Sequence, residues 1–495
     1  MTVDQPPAPQ AGPAPGTADD AMPRQVKLVL GLLLVASFVV ILNETIMSVA
    51  LPSLMAELDV TAATAQWLTT AFMLTMAVVI PATGLILQRF STRQVFIAAM
   101  SLFTAGTLLA ALAPGFGVLV AARVVQAGGT AVMLPLLTTT VLNFVPAARR
   151  GRTMGLITIV IAVAPAVGPT FSGFILSALG WRWMFLVVLP IAVLSLVLGS
   201  VLVKNMTTPR AVRFDLASIA LSAAAFGGLI YGLSSIGEAT QGHTPVPPAL
   251  PIAVGAASFV AFVLRQLRLQ RNDAALLDLR TFRSRPFVLG VIVLLVSMGA
   301  LFGTLILLPM YLQGVLRLST LETGLVLLPG GLTMGLIAPF IGRLFDKVGP
   351  RPLVIPGTFV ITAALGMMTL LGTETPVGMI VGIHVFLSVG LGLVMTPLMT
   401  SALGSLDASL YSHGSAIVST LQQLAGAAGT ALFITLMSTG TAAGLAEGLD
   451  PVAAQADGIH TAFLVGAALA LVPAGLSFLV RRPAMTSGPA PAAMH

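Results

Sequence analysis

The chain has 495 residues, of which 57% are apolar and only 8% are Asp, Glu, Lys or Arg. A water-facing surface needs about 25% charged residues, so most of this surface faces lipid, and the net charge of +7 does not make the chain a soluble nucleic-acid binder. Cysteine is absent, which removes disulfides, thiol catalysis and thiolate metal sites.

Residues 1–23, rich in Pro, Ala and Gly, read as a disordered cytoplasmic tail. The first apolar run is too long for a signal-peptide core and carries no small-residue cleavage pattern. About 20 apolar residues cross roughly 30 Å of hydrocarbon. Such runs lie near 28–50, 64–87, 95–113, 118–142, 153–178, 184–203 and 214–236, then near 249–264, 287–312, 323–341, 352–371, 377–399, 412–437 and 459–480. That is fourteen spans. With the N-terminus cytoplasmic, 21 of the 24 Lys and Arg residues fall on the inner side; Arg182 and Arg317 fall outside and Arg123 falls within a span. Cytoplasmic loops hold the cations of inner-membrane proteins, and one missed span would scramble this alternation downstream. Both termini are therefore expected in the cytoplasm of a bacterial cell, with the chain spanning its inner membrane.

Two loops repeat. Gly84-Leu-Ile-Leu-Gln88-Arg89-Phe-Ser-Thr-Arg93 follows span 2, and Gly342-Arg-Leu-Phe-Asp346-Lys347-Val-Gly349-Pro-Arg351 follows span 10. They start 258 residues apart (342 − 84), eight spans on. Two six-helix halves repeat after six spans, so a further pair is expected between them, giving an all-α polytopic membrane protein of 14 transmembrane helices arranged 6 + 2 + 6. The expected divisions are a tail at 1–23, a six-helix bundle at 24–203, the extra pair with a basic linker at 204–286, a second bundle at 287–482 and a tail at 483–495. A binding site is expected between the halves near the midplane. The linker, Arg265–Arg285, reads as a basic segment lying on the membrane.

The motifs resemble the major facilitator superfamily, and within it the fourteen-span drug:proton antiporters of the EmrB/QacA type. Leu42-Asn43-Glu44-Thr45-Ile46-Met47-Ser48-Val49-Ala50-Leu51-Pro52 resembles the family's L-D-x-T-I-V-N-V-A-L-P, and the two basic loops resemble its G-x-L-x-D-R-x-G-R-R gating loop. Arg123-Val-Val-Gln126-Ala-Gly128-Gly129 resembles the fourth-span R-x-x-Q-G-x-G. Gly155, Ala164, Gly168, Pro169 and Gly173 fall on the fifth-span antiporter pattern, and Pro309-Met-Tyr311-Leu312-Gln313 with Gly324 and Pro329 resembles a stretch that follows the ninth span. Three positions depart: Asn43 replaces the family Asp with the acid one place later at Glu44, and Gln88 and Ser91 replace Asp and Gly of the first loop. The Asn-Glu-Thr variant is closest to the lincomycin-resistance-type branch. The resemblance implies a monomeric proton-driven exporter of drug-like small molecules working by alternating access. Antiport, rather than symport, rests on the fifth-span pattern; export or symport of one endogenous metabolite is the alternative.

Among 17 acidic residues only Glu44 falls well inside a span. An ionised carboxylate costs several kcal/mol there, so such a group is suited to load a proton from one side and release it to the other; a protonated packing residue is the plainer reading. Arg123, the basic residue within a span, is implied by the resemblance to take part in proton transfer; a brace bonded to helix carbonyls is its plainer reading. Asp346 with Lys347 and Arg351 is expected to form a charge-assisted latch in one conformation, and Gln88 makes the first loop the weaker latch. His384 lies on span 12, where a lone His is more often packed than functional. Asn43, Gln66, Thr70, Gln126, Gln422 and Gln423, with Trp67, Met73, Met133, Met298 and Phe302, are candidates to line a cavity. No G-x-x-x-x-G-K-[ST] stretch occurs in the sequence, so the expected energy source is electrochemical. No metal or organic cofactor is expected, and protons are the coupling ion. The five His are scattered, which argues against a membrane-embedded enzyme.

Overall fold

The computed structural model describes residues 24–145, 163–164, 167–203, 205, 215–239, 246–272, 275–407 and 410–480. Both tails, and residues 153–162 and 165–166 of the fifth apolar run, Gly155 among them, lie outside the described residues. Among the described residues the structure is helical, with two short 3-10 turns and no strand.

The first span is a broken rod, α1 (Arg24–Thr45) and α2 (Met47–Leu58). Pro52 lies within α2; it has no N–H to give the carbonyl of Ser48, which weakens the helix one turn upstream. The hydroxyl of Thr45 bonds the carbonyl of Leu42 at 3.0 Å, and that of Ser48 bonds the carbonyl of Thr45 at 3.0 Å, which offers the backbone at the break alternative partners. A short α3 (Ala62–Ala65) leads into α4 (Trp67–Arg89), followed by α5 (Thr92–Ala111), α6 (Phe116–Phe144), α7 (Val167–Leu179) and α8 (Arg182–Leu202). Then come α9 (Leu216–Ala239) and α10 (Ala249–Leu269), and finally α11 (Arg285–Gly314), α12 (Thr320–Val348), α13 (Arg351–Met368), α14 (Val377–Gly404), α15 (Tyr411–Ala446) and α16 (Pro451–Ser477).

Among the described residues, thirteen helices are long and apolar enough to cross a membrane. The fourteenth apolar run of the sequence is the fifth; its described part, Val167–Leu179, is too short to cross by itself because its first half lies outside the described residues. Several helices outrun their apolar stretches. α12 starts three residues before its run because Ser319 and Glu322 form a reciprocal capping box, and α16 starts eight residues early because Asp450 accepts the N–H groups of Val452 and Ala453. Capping satisfies orphan donors that lipid cannot.

Two groups of helices pack by one pattern. In the first, α5 lies against α6 and α8, α4 against α6, and α1 against α6 and α8; in the second, α13 lies against α14 and α16, α12 against α14, and α11 against α14 and α16. The groups meet along two seams, α4 with α15 and α7 with α12, and α2 adds contacts to α11 and α12. Between them, α9 packs on α10 where Gly228 and Gly255 bring the backbones together. α9 also touches both α4 and α15, through Trp67 with Tyr231 (ring centroids 5.4 Å apart) and an apolar cluster of Ala77, Ala225 and Phe226. At the foot of the pair, Arg265 bonds Asp215 at 2.7 Å and, with help from Ser218, holds the Asp215 carboxyl down at about 2.

The basic linker is folded against protein. The Gln266 side chain bonds Ser218 at 2.7 Å and accepts the backbone N–H groups of Leu276 and Leu277. Ser284 meets Ser405 at the end of α14 at 2.8 Å.

Candidate functional site

The break in the first span puts Asn43 and Glu44 at the end of α1, facing α6. Arg123, on α6, has no accessible surface. Its Nη1 donates to Asn43 Oδ1 at 2.7 Å and to Gln126 Oε1 at 3.1 Å, and its Nε donates to the carbonyl of Leu68 on α4 at 3.3 Å. The guanidinium also lies 4.1 Å from the centre of the Phe72 ring. Gln126 passes the network on, donating to the hydroxyl of Thr107 on α5 at 2.9 Å. α5 comes close enough because residue 106 is glycine; a Cβ there would sit 2.6 Å from the backbone nitrogen of Gln126.

Among the described residues no direct ion pair joins Glu44 to Arg123, but the two lie within each other's electrostatic reach, and the Glu44 carboxyl interacts with the side chain of Gln423 on α15. Glu44 is partly accessible, and through Gln423 it reaches the other half of the molecule. Around it, Asn43 Nδ2, Arg123 Nη2, both amide atoms of Gln66 and the Thr70 hydroxyl are buried with no protein partner. Unpaired polar groups cost about 1–3 kcal/mol each, so these five atoms are a local weakness in the packing of the first half.

The other sequence candidates divide. Asn43, Gln66, Thr70, Met73, Gln126 and Met133 have no accessible surface, so they line no open space in this conformation. Met133 belongs to the apolar core, and Met73 packs with Ile230 and Ala427 where α4, α9 and α15 converge. Trp67, Met298, Phe302, Gln422 and Gln423 are partly accessible. Gln423 donates to the sulfur of Met76 at 3.1 Å, so it bridges α15 and α4 as well as meeting Glu44.

The fifth-span residues form the second seam. Gly168 sits on the side chain of Thr45, next to Glu44, and Gly173 sits on the carbonyl of Thr320. Gly324 on α12 lies against Pro169 and Thr170, and the Thr170 hydroxyl bonds the Gly324 carbonyl at 2.9 Å. Ala164 is buried. The stretch after the ninth span closes the same end: Gln313 donates to the carbonyl of Val49 at 3.1 Å, and the Tyr311 hydroxyl to that of Gly372 at 2.6 Å. Pro329 lies within α12.

The two basic loops follow the C-terminal ends of α4 and α12. Gln88 and Arg89 are exposed, Ser91 caps α5 with Gln94, and Arg93 reaches the carbonyl of Ser200 at 2.7 Å. Gly84 and Gly342 have open space where a side chain would go. Gly349 ends α12 with a φ of 80°, a left-handed conformation that favours glycine. Asp346, Lys347 and Arg351 are exposed, and among the described residues Asp346 has no ion pair. The expected latch is therefore not engaged in this conformation.

Sequence reasoning missed Thr107, Phe72, Thr170 and the Leu68 carbonyl. Only the glycines at 106 and 168 hinted at close approach, and glycine alone does not say what approaches.

Two helical groups that pack by one pattern and meet along two seams frame Glu44 and Arg123, the build of a membrane transporter. The chain belongs to the major facilitator superfamily, whose family model matches residues 33–430. It is 42% identical over 454 residues to the lincomycin resistance protein LmrB of Listeria monocytogenes, covering 91% of this chain and 95% of that one. It is 31% identical to a multidrug resistance protein B homolog of Mycobacterium tuberculosis, covering 82% and 75%. A bacterial homolog of the human lysosomal transporter Spinster, in an inward-facing and unoccupied conformation, shares the fold with a TM-score of 0.67 at 15% identity, covering 93% of this chain and 98% of that one. The chain is thus a multi-pass transporter of the bacterial inner membrane.

Proposed function

We propose that the chain is a proton-coupled antiporter that exports amphipathic or lipophilic small molecules by alternating access, acting as a monomer. The observation that carries this reading is Glu44: an acid at the break of the first span, electrostatically coupled to Arg123 in its own half and touching Gln423 in the other. Loading a proton there removes a charge at the junction between the halves and so changes what each half offers the other. The drug-like substrate class is supported by the lincomycin and multidrug resistance names of the relatives.

The layout within this reading is 14 spans in a 6 + 2 + 6 order with both termini cytoplasmic. It consists of a bundle at 24–203, the extra pair and linker at 204–286 and a bundle at 287–482, between tails at 1–23 and 483–495. The matching packing of the two helical groups supports the eight-span repeat. In this orientation the α7–α12 seam is the outer gate and the basic loops are the inner one, so the conformation described is closed to the outside. One inward proton yields about 2.3 kcal/mol per 100 mV and about 1.4 kcal/mol per pH unit, enough to sustain a gradient of a few hundred-fold for a neutral substrate.

The test is reconstitution into liposomes holding a pH-sensitive dye, with an imposed proton gradient and lincomycin or ethidium as substrate. Substrate-dependent proton flux is expected in the wild type and reduced in Glu44→Gln. Transport without proton movement sinks the antiport reading; a Glu44→Gln variant that couples normally removes Glu44 from it.

A further inference from the structure

Arg123 has a counterpart in the second half that the eight-span repeat identifies. Arg123 is the eighth residue of α6 and His384 the eighth of α14, 261 residues apart (384 − 123). Six residues on, Gly129 of α6 lies against the carbonyl of Ala99 on α5, and Gly390 of α14 against that of Gly357 on α13; these pairs are offset by 261 (390 − 129) and 258 (357 − 99). The carbonyls facing the two side chains match as well. Arg123 donates to the carbonyl of Leu68 on α4, and the His384 ring interacts with the carbonyl of Leu327 on α12, 259 residues on (327 − 68).

His384 is buried, and its Nδ1 has no partner. That leaves Nε2, the nitrogen that lies over Gly330, to donate to Leu327; the glycine lets the ring come this close. A neutral imidazole bonded in this way presents a lone pair on Nδ1 with nothing to meet it. A purely structural His would be expected to satisfy both nitrogens.

The two halves differ in what surrounds the paired positions. α1 ends in Glu44, whereas α11, its counterpart, carries no Asp or Glu. The helices packed on α14 are α11, α12, α13 and α15. Their ionisable groups are Arg285 and Tyr311 on α11, Glu322, Arg343, Asp346 and Lys347 on α12, Arg351 on α13 and Tyr411 and His413 on α15, all within two turns of a helix end. At the paired positions the first half thus sets a guanidinium near a carboxyl, while the second sets an imidazole with no carboxyl away from the helix ends.

Resting on the proton-coupled reading above, we propose that His384 Nδ1 is a second proton-binding site, located in the C-terminal bundle, and that transport exchanges two protons per substrate through one site in each half. The step is proton exchange alone. Nδ1 takes a proton from one aqueous side and returns it to the other, and no heavy-atom bond forms or breaks. An imidazolium there has no carboxylate to meet it, so its charge bears on α12, the helix that runs from the Gly324 seam to the Asp346 loop. Protonation at His384 therefore acts on both gates of the second half.

The experiment counts protons per lincomycin in proteoliposomes, with internal pH dye and radiolabelled substrate, for wild type, Glu44→Gln, His384→Gln and His384→Asn. Gln keeps a donor for Leu327 and Asn keeps an acceptor near Nδ1, but neither amide takes up a proton. Each His384 variant is expected to transport lincomycin with the proton count cut roughly twofold. A His384→Gln variant that folds and exchanges as many protons as wild type overturns the proposal while leaving Glu44 intact. A wild type that exchanges none overturns the antiport reading itself, and this site with it. Should neither His384 variant fold, proton release by the wild type on lincomycin binding, measured in buffers of different ionisation enthalpy, decides the matter: one proton or fewer per lincomycin overturns the second site.

Discussion

Replacing Gly324 by Ala tests whether the α7–α12 seam is a gate. The added Cβ would lie 2.8 Å from both the Pro169 carbonyl oxygen and the Thr170 Cα. Both neighbours are backbone, so neither can rotate away. Comfortable contact needs about 3.5 Å, so the helices must part by roughly 0.7 Å. That stretches the Thr170–Gly324 hydrogen bond, now 2.9 Å, to about 3.6 Å, past the useful limit. A lost bond is worth about 1 kcal/mol, and the loosened glycine contacts bring the total to about 1–2 kcal/mol against the sealed state. Such a change shifts a two-state ratio by a factor of about 5–30. The chain has no cysteine of its own, so a single Val49→Cys reporter, at a fully buried position on α2, which contacts α11 and α12, can be labelled in intact cells with a membrane-impermeant maleimide. Gly324→Ala should raise the labelling rate about 5- to 30-fold. A Gly324→Ala protein with unchanged thermal midpoint and unchanged labelling would refute the seam as the outer gate.

Arg123→Leu leaves Asn43 Oδ1 and Gln126 Oε1 without their donor, at about 1–3 kcal/mol per orphaned acceptor. Its thermal midpoint in detergent should fall by several degrees, with partial recovery in Arg123→Lys; an unchanged midpoint would show that the network is not structural. The Asp215–Arg265 clamp should be indifferent to pH across the working range. The folded carboxyl, held at about 2, lies below the ordinary value near 3.9, so its contribution is complete above about pH 4 and is lost as pH falls through 2. Protease protection of the linker after α10 should therefore be flat from pH 8 to 5 in wild type and reduced throughout in Asp215→Asn.

The spans were legible because each is a long apolar run, and Glu44 and Arg123 stood out because charge in lipid is rare. The seam at Gly168, Gly173 and Gly324 was half legible: the small residues announced close approach but not the partner, since any helix backbone can fill a glycine's space. The break after Thr45 is not legible, because apolar residues continue on both sides of it and the one cue, Pro52, is common in membrane helices. Nor did anything local in Gln66 or Thr70 mark them as buried without partners; that depends on α6 bringing Arg123 to Asn43 instead. The capped extensions of α12 and α16 escaped because hydropathy stops at the lipid boundary whereas hydrogen bonding does not.

α9 rests on α4 from one half and on α15 from the other, across the seam where Trp67 meets Tyr231. A hinge pin is held by both leaves and belongs to neither. When the two bundles rock, this seam can roll or slide past α9 but cannot gape, because any gap must strip apolar contacts from one side of the pin. In the alternating-access reading proposed above, the free edge is then the opposite one, where α7 meets α12 through glycines and two threonine hydroxyls.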